Sequence, residues 1–201
     1  MLFTFLKRES DIKIAREIDT QWKHRILKLH TRCKREVPLD GSGNKDKEAI
    51  YRMYGSTLLG LVLTREFLFA FQLGDGDIIK VSEEGVCNII EADKILGTET
   101  HSLSKNESWN KAITFIRKQE ENKQLPVMYM LSTDGLANSY KDDHEFRKTC
   151  RDYYELLKEH GVKAVSDQLK IWLQETSELG SGDDITALFA YEMMQEQGFA
   201  V

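Results

Sequence analysis

The stretch VMYMLSTDGL, residues 127–136, decides the fold of this chain. Its first five residues form an apolar run, entered after Pro126, that is typical of a buried β-strand. The polar residues 132–135 follow directly, so the carboxylate of Asp134 comes at the end of a strand. Gly135 beside it has no side chain, which lets the backbone come close to a ligand.

Two further acidic turns adjoin apolar runs in the same way. The turn GDGD, residues 74–77, follows the run 67–73, and the turn GSGDDIT, residues 180–186, leads into the run 185–191. Carboxylates gathered without His or Cys suit hard cations such as Mg²⁺ or Mn²⁺. Each turn alone is also ordinary turn chemistry, because Asp-Gly and Asp caps are common in turns. The three turns form a site only if the folded sheets bring them together.

Outward from these turns, the apolar spacing predicts clustered strands, then clustered helices, then a returning strand. This order favours an α+β sandwich of antiparallel sheets in one domain spanning residues 1–201. Short strands separated by tight turns indicate a meander, and Gly161 is expected to divide two helices. The predicted elements are a helix from Glu9 to Arg35 with Ser10 as N-cap, a loop at 38–44, strands at 56–63, 67–73, 78–81 and 86–90, a helix at 108–120, a strand at 127–131, helices at 143–160 and 162–175, and a strand at 185–191.

The composition excludes several classes of function. Of the 201 residues 41% are hydrophobic and 30% charged, and the net charge is −5, so we expect a soluble packed core and no nucleic-acid partner. No apolar run reaches membrane-spanning length. The three cysteines lie far apart and predict reduced thiols, which favours a cytoplasmic location. We also expect Trp22, Trp109 and Trp172 in the core, and His24 and His30 in solvent.

Four motifs together resemble the metal-dependent serine/threonine phosphatases of the protein phosphatase 2C type. YGSTLL (54–59) and QLGDGD (72–77) resemble the Gly-Thr-Thr strand and Gly-Asp-Ser-Arg turn of that family. LSTDGL (131–136) resembles its Ser-Asp-Gly-Leu motif, and GDDIT (182–186) its Asp-Asn-x-Thr motif. All four occur in the family's order, and the resemblance covers about residues 54–191.

The resemblance implies an α-β-β-α layered fold with two metal ions, Mg²⁺ or Mn²⁺, between two sheets. It further implies hydrolysis of phosphoserine and phosphothreonine in proteins by water that the metal ions activate. Asp134 and Asp183 match metal-ligand positions, and Asp75 matches an acidic residue that helps to hold a third metal in some members. No catalytic residue is identified beyond this metal site, and the residues expected to support it by their backbone or turn are Gly74, Gly135 and Asp184.

The sequence departs from the family pattern at its start. Family members carry an early strand with a phosphate-binding Arg and an Asp-Gly-x-Gly turn whose Asp bridges both metals. Here residues 40–43, DGSG, follow the long helix and predict an ordinary loop. Asp184 stands where the family often has Asn, and Asn138 where many members have another Asp. We therefore expect a chain that lacks the first strands and has weak phosphatase activity or none by itself.

Three explanations fit this departure: a truncated phosphatase, a degenerate homologue, or a second chain that supplies the missing segment. The alternative to the enzyme is a non-catalytic pseudophosphatase that acts as a protein-interaction module. The expected partners are a phosphorylated protein and a second copy of the chain, since missing strands would expose apolar sheet. The sequence does not indicate the substrate protein, the pathway or the oligomeric state.

Overall fold

A computed structural model describes residues 1–91, 100–119 and 125–193. The chain divides into two compact units, the first formed by residues 1–75 and 92–119 and the second by residues 76–91 and 120–201. One domain over residues 1–201 stays a prediction. Within the described residues, the helices are α1 (Leu2–Glu9), α2 (Ala15–Arg32), α3 (Lys47–Arg52), α4 (Asp134–Asn138) and α5 (Asp143–Leu179). The strands are β1 (Leu58–Leu63), β2 (Phe67–Leu73), β3 (Asp77–Ser82), β4 (Gly85–Asn88), β5 (Ile113–Lys118), β6 (Val127–Ser132) and β7 (Ala187–Glu192).

Helix formation starts earlier than the sequence pattern predicts. The chain is helical from Leu2, and a π-helical turn at Ser10–Ile14 joins α1 to α2. The prediction of Ser10 as an N-cap is therefore wrong. Ser10 is instead buried, and its hydroxyl accepts a hydrogen bond from the Thr114 hydroxyl at 3.1 Å. Residues 1–57 are all described, and they contain helices and one isolated β-bridge, Leu39 to Lys45, but no strand.

The strands form two antiparallel sheets, in the orders β1-β2-β5 and β4-β3-β6-β7. The expected meander is thus correct for the β1–β2 and β3–β4 hairpins and wrong between β2 and β3. These two strands belong to different sheets, and the chain passes from one sheet to the other through residues 74–76. The α+β class, with helices and two antiparallel sheets, is confirmed.

The predicted helix at 108–120 is the clearest error in secondary structure. Ser108–Lys111 form a single 3₁₀ turn, Ile113–Lys118 form β5, and Glu120 lies outside the described residues. The apolar residues of this stretch fit helical spacing by chance. Ile113, Thr114 and Phe115 favour extended backbone, and β2 supplies a hydrogen-bonding partner along the whole of β5.

The second unit is built on β6, whose six residues are all buried. Met128 and Met130 pack with Ile79 and Val81 against buried residues of α5. Helix α5 begins at the N-cap Asp142, which accepts a hydrogen bond from the Glu145 amide at 3.0 Å. The expected division at Gly161 is confirmed, since this residue has φ 77° and ψ 168° inside the helical stretch.

The first unit has a separate core on β2. Phe67, Phe69 and Phe71 are buried against Ala15 and Leu103, with Trp22 and Trp109 packed at the edge. Trp172 packs in the same way against the core of the second unit, so all three tryptophans contact a core while remaining partly exposed. In each unit a buried strand, β2 or β6, is held in the core, and this holds the turn that follows the strand. The acidic residues Asp75 and Asp134 lie in these turns.

Candidate metal centre

Strand β6 delivers Asp134 to the surface of the second unit. The strand ends at Ser132, Thr133 is extended, and Asp134 is the first residue of α4. The carboxylate is half-buried, and its Oδ2 accepts a hydrogen bond from the Asn138 side-chain amide at 3.3 Å. Asn138 lies one helical turn later and so holds the orientation of the Asp134 carboxylate.

Gly135 is where the second acidic loop meets the first. A methyl group on Gly135 would stand 2.9 Å from the Asp184 carbonyl oxygen and 3.1 Å from the Asp183 Cβ. Only a residue without a side chain permits this approach. The fold therefore brings the segments of Asp134 and Asp183 together although 49 positions separate them in the sequence.

Hydroxyl groups tie these two segments to each other. The Gly135 carbonyl accepts hydrogen bonds from the Ser139 hydroxyl at 2.7 Å and the Ser181 hydroxyl at 3.2 Å. The Thr133 amide donates to the Thr186 carbonyl, and the Thr186 amide donates to the Thr133 hydroxyl, each at 3.0 Å. The sequence pattern alone does not identify these hydroxyl groups as contacts between the two segments. The only signal for them is that small polar residues lie beside the glycines.

The loop that carries Asp183 is also fixed from the end of α5. The Ser177 hydroxyl donates to the Asp183 carbonyl at 2.6 Å, and the Asp183 amide donates to the Ser181 hydroxyl at 3.2 Å. The Asp183 side chain is exposed. Asp184 is exposed as well, and its carbonyl oxygen accepts a hydrogen bond from the Thr133 hydroxyl at 3.3 Å. Asp184 thus contacts this junction through its backbone.

Asp75 belongs to the first unit, and it occupies the turn after β2. Its Oδ2 accepts a hydrogen bond from the Thr100 hydroxyl at 2.6 Å. The preceding Gly74 has φ +111°, and a methyl group there would stand 2.4 Å from Thr57 Cγ2. Gly74 is therefore required both by its backbone conformation and by the lack of space.

The DGSG segment at residues 40–43 is a self-contained turn. Asp40 Oδ1 accepts hydrogen bonds from the amides of Ser42 and Asn44, each at 2.9 Å. The hydrogen bond from the Asn44 amide, followed by that from Ser42, lowers the pKa of Asp40 below its ordinary value. Because its turn already uses this carboxylate, the prediction of an ordinary loop is confirmed.

The side chains at this junction are of the donor type that suits a hard cation. Asp134 and Asp183 offer carboxylate oxygens, the ligands that Mg²⁺ and Mn²⁺ prefer. Among residues 1–91, 100–119 and 125–193, no group of three or more His, Cys, Asp or Glu side chains gathers around one point.

Cys150 is unsuited to nucleophilic chemistry. It is a buried residue of α5, and burial, with a smaller contribution from Asp77, raises its pKa to about 12. The thiol is therefore protonated at neutral pH, whereas the thiolate is the reactive form. All three cysteines are free, as predicted.

The sequence profile of the protein phosphatase 2C family matches residues 3–174. The chain belongs to the protein phosphatase 2C family. The match extends further toward the start of the chain than the expected range of 54–191, so α1 and α2 belong to the family region. It ends before Asp183, whose segment lies against Gly135 in the structure. A search of curated proteins found no match.

Solved structures of bacterial phosphatases share the fold. The catalytic domain of the serine/threonine phosphatase PstP, solved with two manganese ions, has a TM-score of 0.51 and 14% identity and covers 89% of this chain and 82% of its own. PstP/Ppp of Mycobacterium tuberculosis has a TM-score of 0.50 and 12% identity and covers 90% of this chain and 83% of its own. PppA, described as a key regulatory component of the T6SS in Pseudomonas aeruginosa, has a TM-score of 0.51 and 17% identity. It covers 73% of this chain and 65% of its own. At these identities the likeness establishes the fold.

Proposed function

We propose that this protein phosphatase 2C chain acts on phosphoserine and phosphothreonine of proteins through a metal centre at Asp134 and Asp183. The observation that carries the proposal is the packing of Gly135 against the Asp184 backbone and the Asp183 Cβ. That contact brings two distant motifs together, and both of them resemble the family's metal-ligand motifs. The family membership supports the substrate class, a phosphorylated protein.

The proposed roles follow from the contacts of each residue. Asp134, oriented by Asn138, and Asp183, held by Ser177 and Ser181, would bind Mg²⁺ or Mn²⁺. When bound, such ions supply positive charge and increase the acidity of water. Asp75 is proposed as a ligand for a further ion.

We further propose that turnover by this chain is weak or absent. Mg²⁺ requires close to six oxygen ligands, of which Asp134 and Asp183 supply few. Asp40, the other aspartate in an Asp-Gly-x-Gly sequence, is engaged by its own turn. Phosphate-monoester hydrolysis needs accelerations of up to about 10²¹, which depend on firmly positioned groups.

Metal titration by calorimetry tests the centre separately from turnover. Mn²⁺ binding to the chain should be lost in Asp134→Asn and in Asp183→Asn. Asp152→Asn, an exposed aspartate on α5, serves as a charge-matched control and should bind like the unaltered chain. Equal binding by all four proteins would refute the proposed centre.

A phosphatase assay on a phosphoserine peptide with Mn²⁺ then separates the two functional alternatives. Slow turnover that disappears in Asp134→Asn supports the enzyme. Metal binding without any turnover supports the non-catalytic pseudophosphatase that acts as a protein-interaction module. Robust turnover would contradict the proposed weak activity.

Self-association through exposed sheet is proposed at β7. In the described part of the chain, β7 pairs with β6 alone, in regular register over all six residues. Leu188 on this edge strand is 56% exposed, and the strand contains no Lys or Pro that would discourage pairing. A second copy of the chain would supply the missing neighbour.

Sedimentation velocity at two protein concentrations tests this association. A concentration-dependent dimer should be lost in Leu188→Lys and kept in Ile171→Lys, which replaces an equally exposed apolar residue on α5. A monomer at both concentrations would contradict the proposal.

The remaining expectations concern location and other partners. No helix among the described residues has the length and apolar character needed to cross a membrane. We propose a cytoplasmic location with neither membrane nor nucleic acid as a partner. The net charge of −5 supports the absence of a nucleic-acid partner, because a nucleic-acid backbone attracts basic surfaces.

A further inference from the structure

One stretch of the first unit carries positive charge and no negative charge. Residues 23–35 contain six lysines and arginines and no aspartate or glutamate. Because the chain as a whole has a net charge of −5, the rest of it carries −11. Lys23 is partly buried and paired with Asp19 at 2.9 Å. The other five cations are exposed and are called here the 25–35 basic surface: Arg25, Lys28, Arg32, Lys34 and Arg35.

Helix α2 places three of these cations along one side. Arg25, Lys28 and Arg32 follow each other at intervals of three and four residues, so their side chains lie on one stripe. Ala15 and Trp22 belong to another side of the helix, which packs on the core of the first unit. At 1.5 Å per residue the stripe is about 10 Å long, which about three residues of an extended peptide would cover.

The 25–35 basic surface lacks the ion pairs that are usual on a solvated helix. In the part of the chain that the structure describes, none of its five cations is paired with a carboxylate. Helix α5 differs, because four of its six lysines and arginines have a carboxylate partner at 2.5 to 2.8 Å. These four are Arg147, Arg151, Lys158 and Lys163. Interspersed charges of both signs are typical of a face that meets only solvent, and the 25–35 basic surface has one sign alone.

Stabilisation of α2 explains only part of this surface. Cations near the end of a helix interact favourably with its macrodipole, which accounts for Arg32 and for the two cations that follow the helix. The effect falls off within the last turn, and Arg25 and Lys28 lie before that turn. Their exposed charge is therefore free to complement an acidic partner.

The backbone after α2 holds the last two cations in a fixed turn. The Lys34 amide donates to the Thr31 carbonyl at 3.1 Å, and the Arg35 amide donates to the His30 carbonyl at 3.4 Å. This pair of hydrogen bonds is the pattern of a Schellman motif, in which glycine usually takes the left-handed position. Here Lys34 takes it, with φ 51°.

The side chain of His30 anchors the same turn from inside. This buried ring donates from Nε2 to the Glu36 carbonyl at 3.0 Å, because a carbonyl oxygen only accepts. Its Nδ1 accepts from the Tyr54 hydroxyl at 3.1 Å, and the Arg35 guanidinium lies 5.3 Å from the centre of the Tyr54 ring. These contacts preorganise the turn, which reduces the entropy lost when a partner binds.

We propose that the 25–35 basic surface binds an acidic segment of another protein. Three of its five cations are arginines, whose planar guanidinium groups form paired hydrogen bonds with carboxylates. A short acidic segment is confined to the stripe of about 10 Å. A nucleic acid or an anionic membrane extends beyond it and meets the remaining chain, whose charge of −11 repels polyanions. That the acidic protein is a substrate would rest on the proposed function, whereas the binding does not.

Fluorescence anisotropy on the full chain in metal-free buffer tests the proposal, with a labelled peptide of alternating glutamate and serine as the probe. Binding should be saturable at low ionic strength, weaken with added salt, and be absent when glutamine replaces glutamate in the peptide. Lys28→Gln with Arg32→Gln should weaken binding about threefold to twentyfold. Lys148→Gln with Lys170→Gln removes the same charge from exposed positions on α5 and should leave the affinity unchanged. Glutamine is a good helix former, so both double variants should keep the fold.

The possible outcomes separate this surface from a general effect of charge. Equal weakening by the two double variants, or no saturable binding at low ionic strength, would overturn the proposal. A single-stranded oligonucleotide that binds this surface more tightly than the peptide would overturn the assignment to a protein partner. The assay needs neither metal nor turnover. Its failure therefore leaves the proposed function intact, and an inactive chain that binds the peptide refutes only the proposed function.

Discussion

The Gly74-Asp75 turn and the Asp134-Gly135 turn join the same two residue types at the end of a buried strand, but their glycines meet different neighbours. Gly74 has a left-handed φ of +111° and faces the Thr57 side chain. Gly135 has no positive φ, and it faces the Asp184 carbonyl and the Asp183 Cβ. A side chain can be shortened by substitution, whereas a backbone carbonyl cannot. The two turns should therefore respond differently to paired substitutions.

Gly74→Ala should have the largest effect, a loss of about 3 kcal/mol in the free energy of unfolding. Overpacking against Thr57 and the left-handed φ both contribute. Adding Thr57→Gly to the same chain should recover the stability lost to overpacking. A loss of about 1 kcal/mol in the free energy of unfolding, due to the φ angle alone, should remain. Urea unfolding of the single and double variants measures both parts. An unchanged cost in the double variant would show that Thr57 is not the obstacle.

Gly135→Ala should cost about 2 kcal/mol and also abolish Mn²⁺ binding, because the Asp183 segment must move away. No single side-chain deletion should rescue it, since the nearest atom is a backbone oxygen. Gly41→Ala is the matched control. It follows an aspartate in the same way but has no heavy atom within 4 Å of the added methyl. Urea unfolding and metal calorimetry check the prediction, and equal stability of the two variants would contradict it.

The hydroxyl contacts at the Gly135 carbonyl predict a smaller effect. Ser139→Ala should cost about 1 kcal/mol, and Ser181→Ala slightly less because its hydrogen bond is longer. The double variant should cost more than the sum of the two, since it leaves the Gly135 carbonyl without either donor. A double-mutant cycle from urea unfolding measures this coupling. Strict additivity would show that water replaces both hydroxyls.

The smallest predicted effect is a pH dependence confined to the second unit. Burial, aided by the hydrogen bond to Glu83, raises the pKa of Tyr154 to about 12. Because the folded pKa lies above the unfolded value of about 10, this contribution to stability is complete below pH 10. It is lost as the pH rises through about 12. Tyr154→Phe should flatten the alkaline limb of the stability profile relative to the unaltered chain. Urea unfolding between pH 8 and 12 gives both profiles.

The sequence predicts strands best where burial dominates. Residues 67–73 form β2 as predicted, because a continuous apolar run has few alternatives to a buried strand. The prediction from sequence fails at β5, because the apolar spacing there also fits a helix. Pairing with β2 decides that the segment is a strand. His30 shows the same limit. It was expected in solvent, yet it is buried, with its ring nitrogens at hydrogen-bond distance from the Tyr54 hydroxyl and the Glu36 carbonyl.

For the candidate site, the sequence identifies the residue types and the tertiary structure decides which of them meet. Asp134, Asp183 and Asp75 are visible in the sequence because each adjoins an apolar run and a glycine. The hydroxyls of Thr133, Ser139 and Ser181 are not visible, since their partners lie more than 40 residues away or on the backbone.

The sequence by itself determined the α+β class, the family and the acidic turns at strand ends. The class and the turns depend on local composition and on the period of apolar residues, which a short window contains, whereas the family was indicated by the resemblance of four motifs in order. Only the tertiary structure decided that β2 and β3 enter different sheets and that Gly135 packs on Asp183–Asp184. Such contacts depend on how buried strands pair across long separations, where the energy of packing outweighs the preference of any single segment.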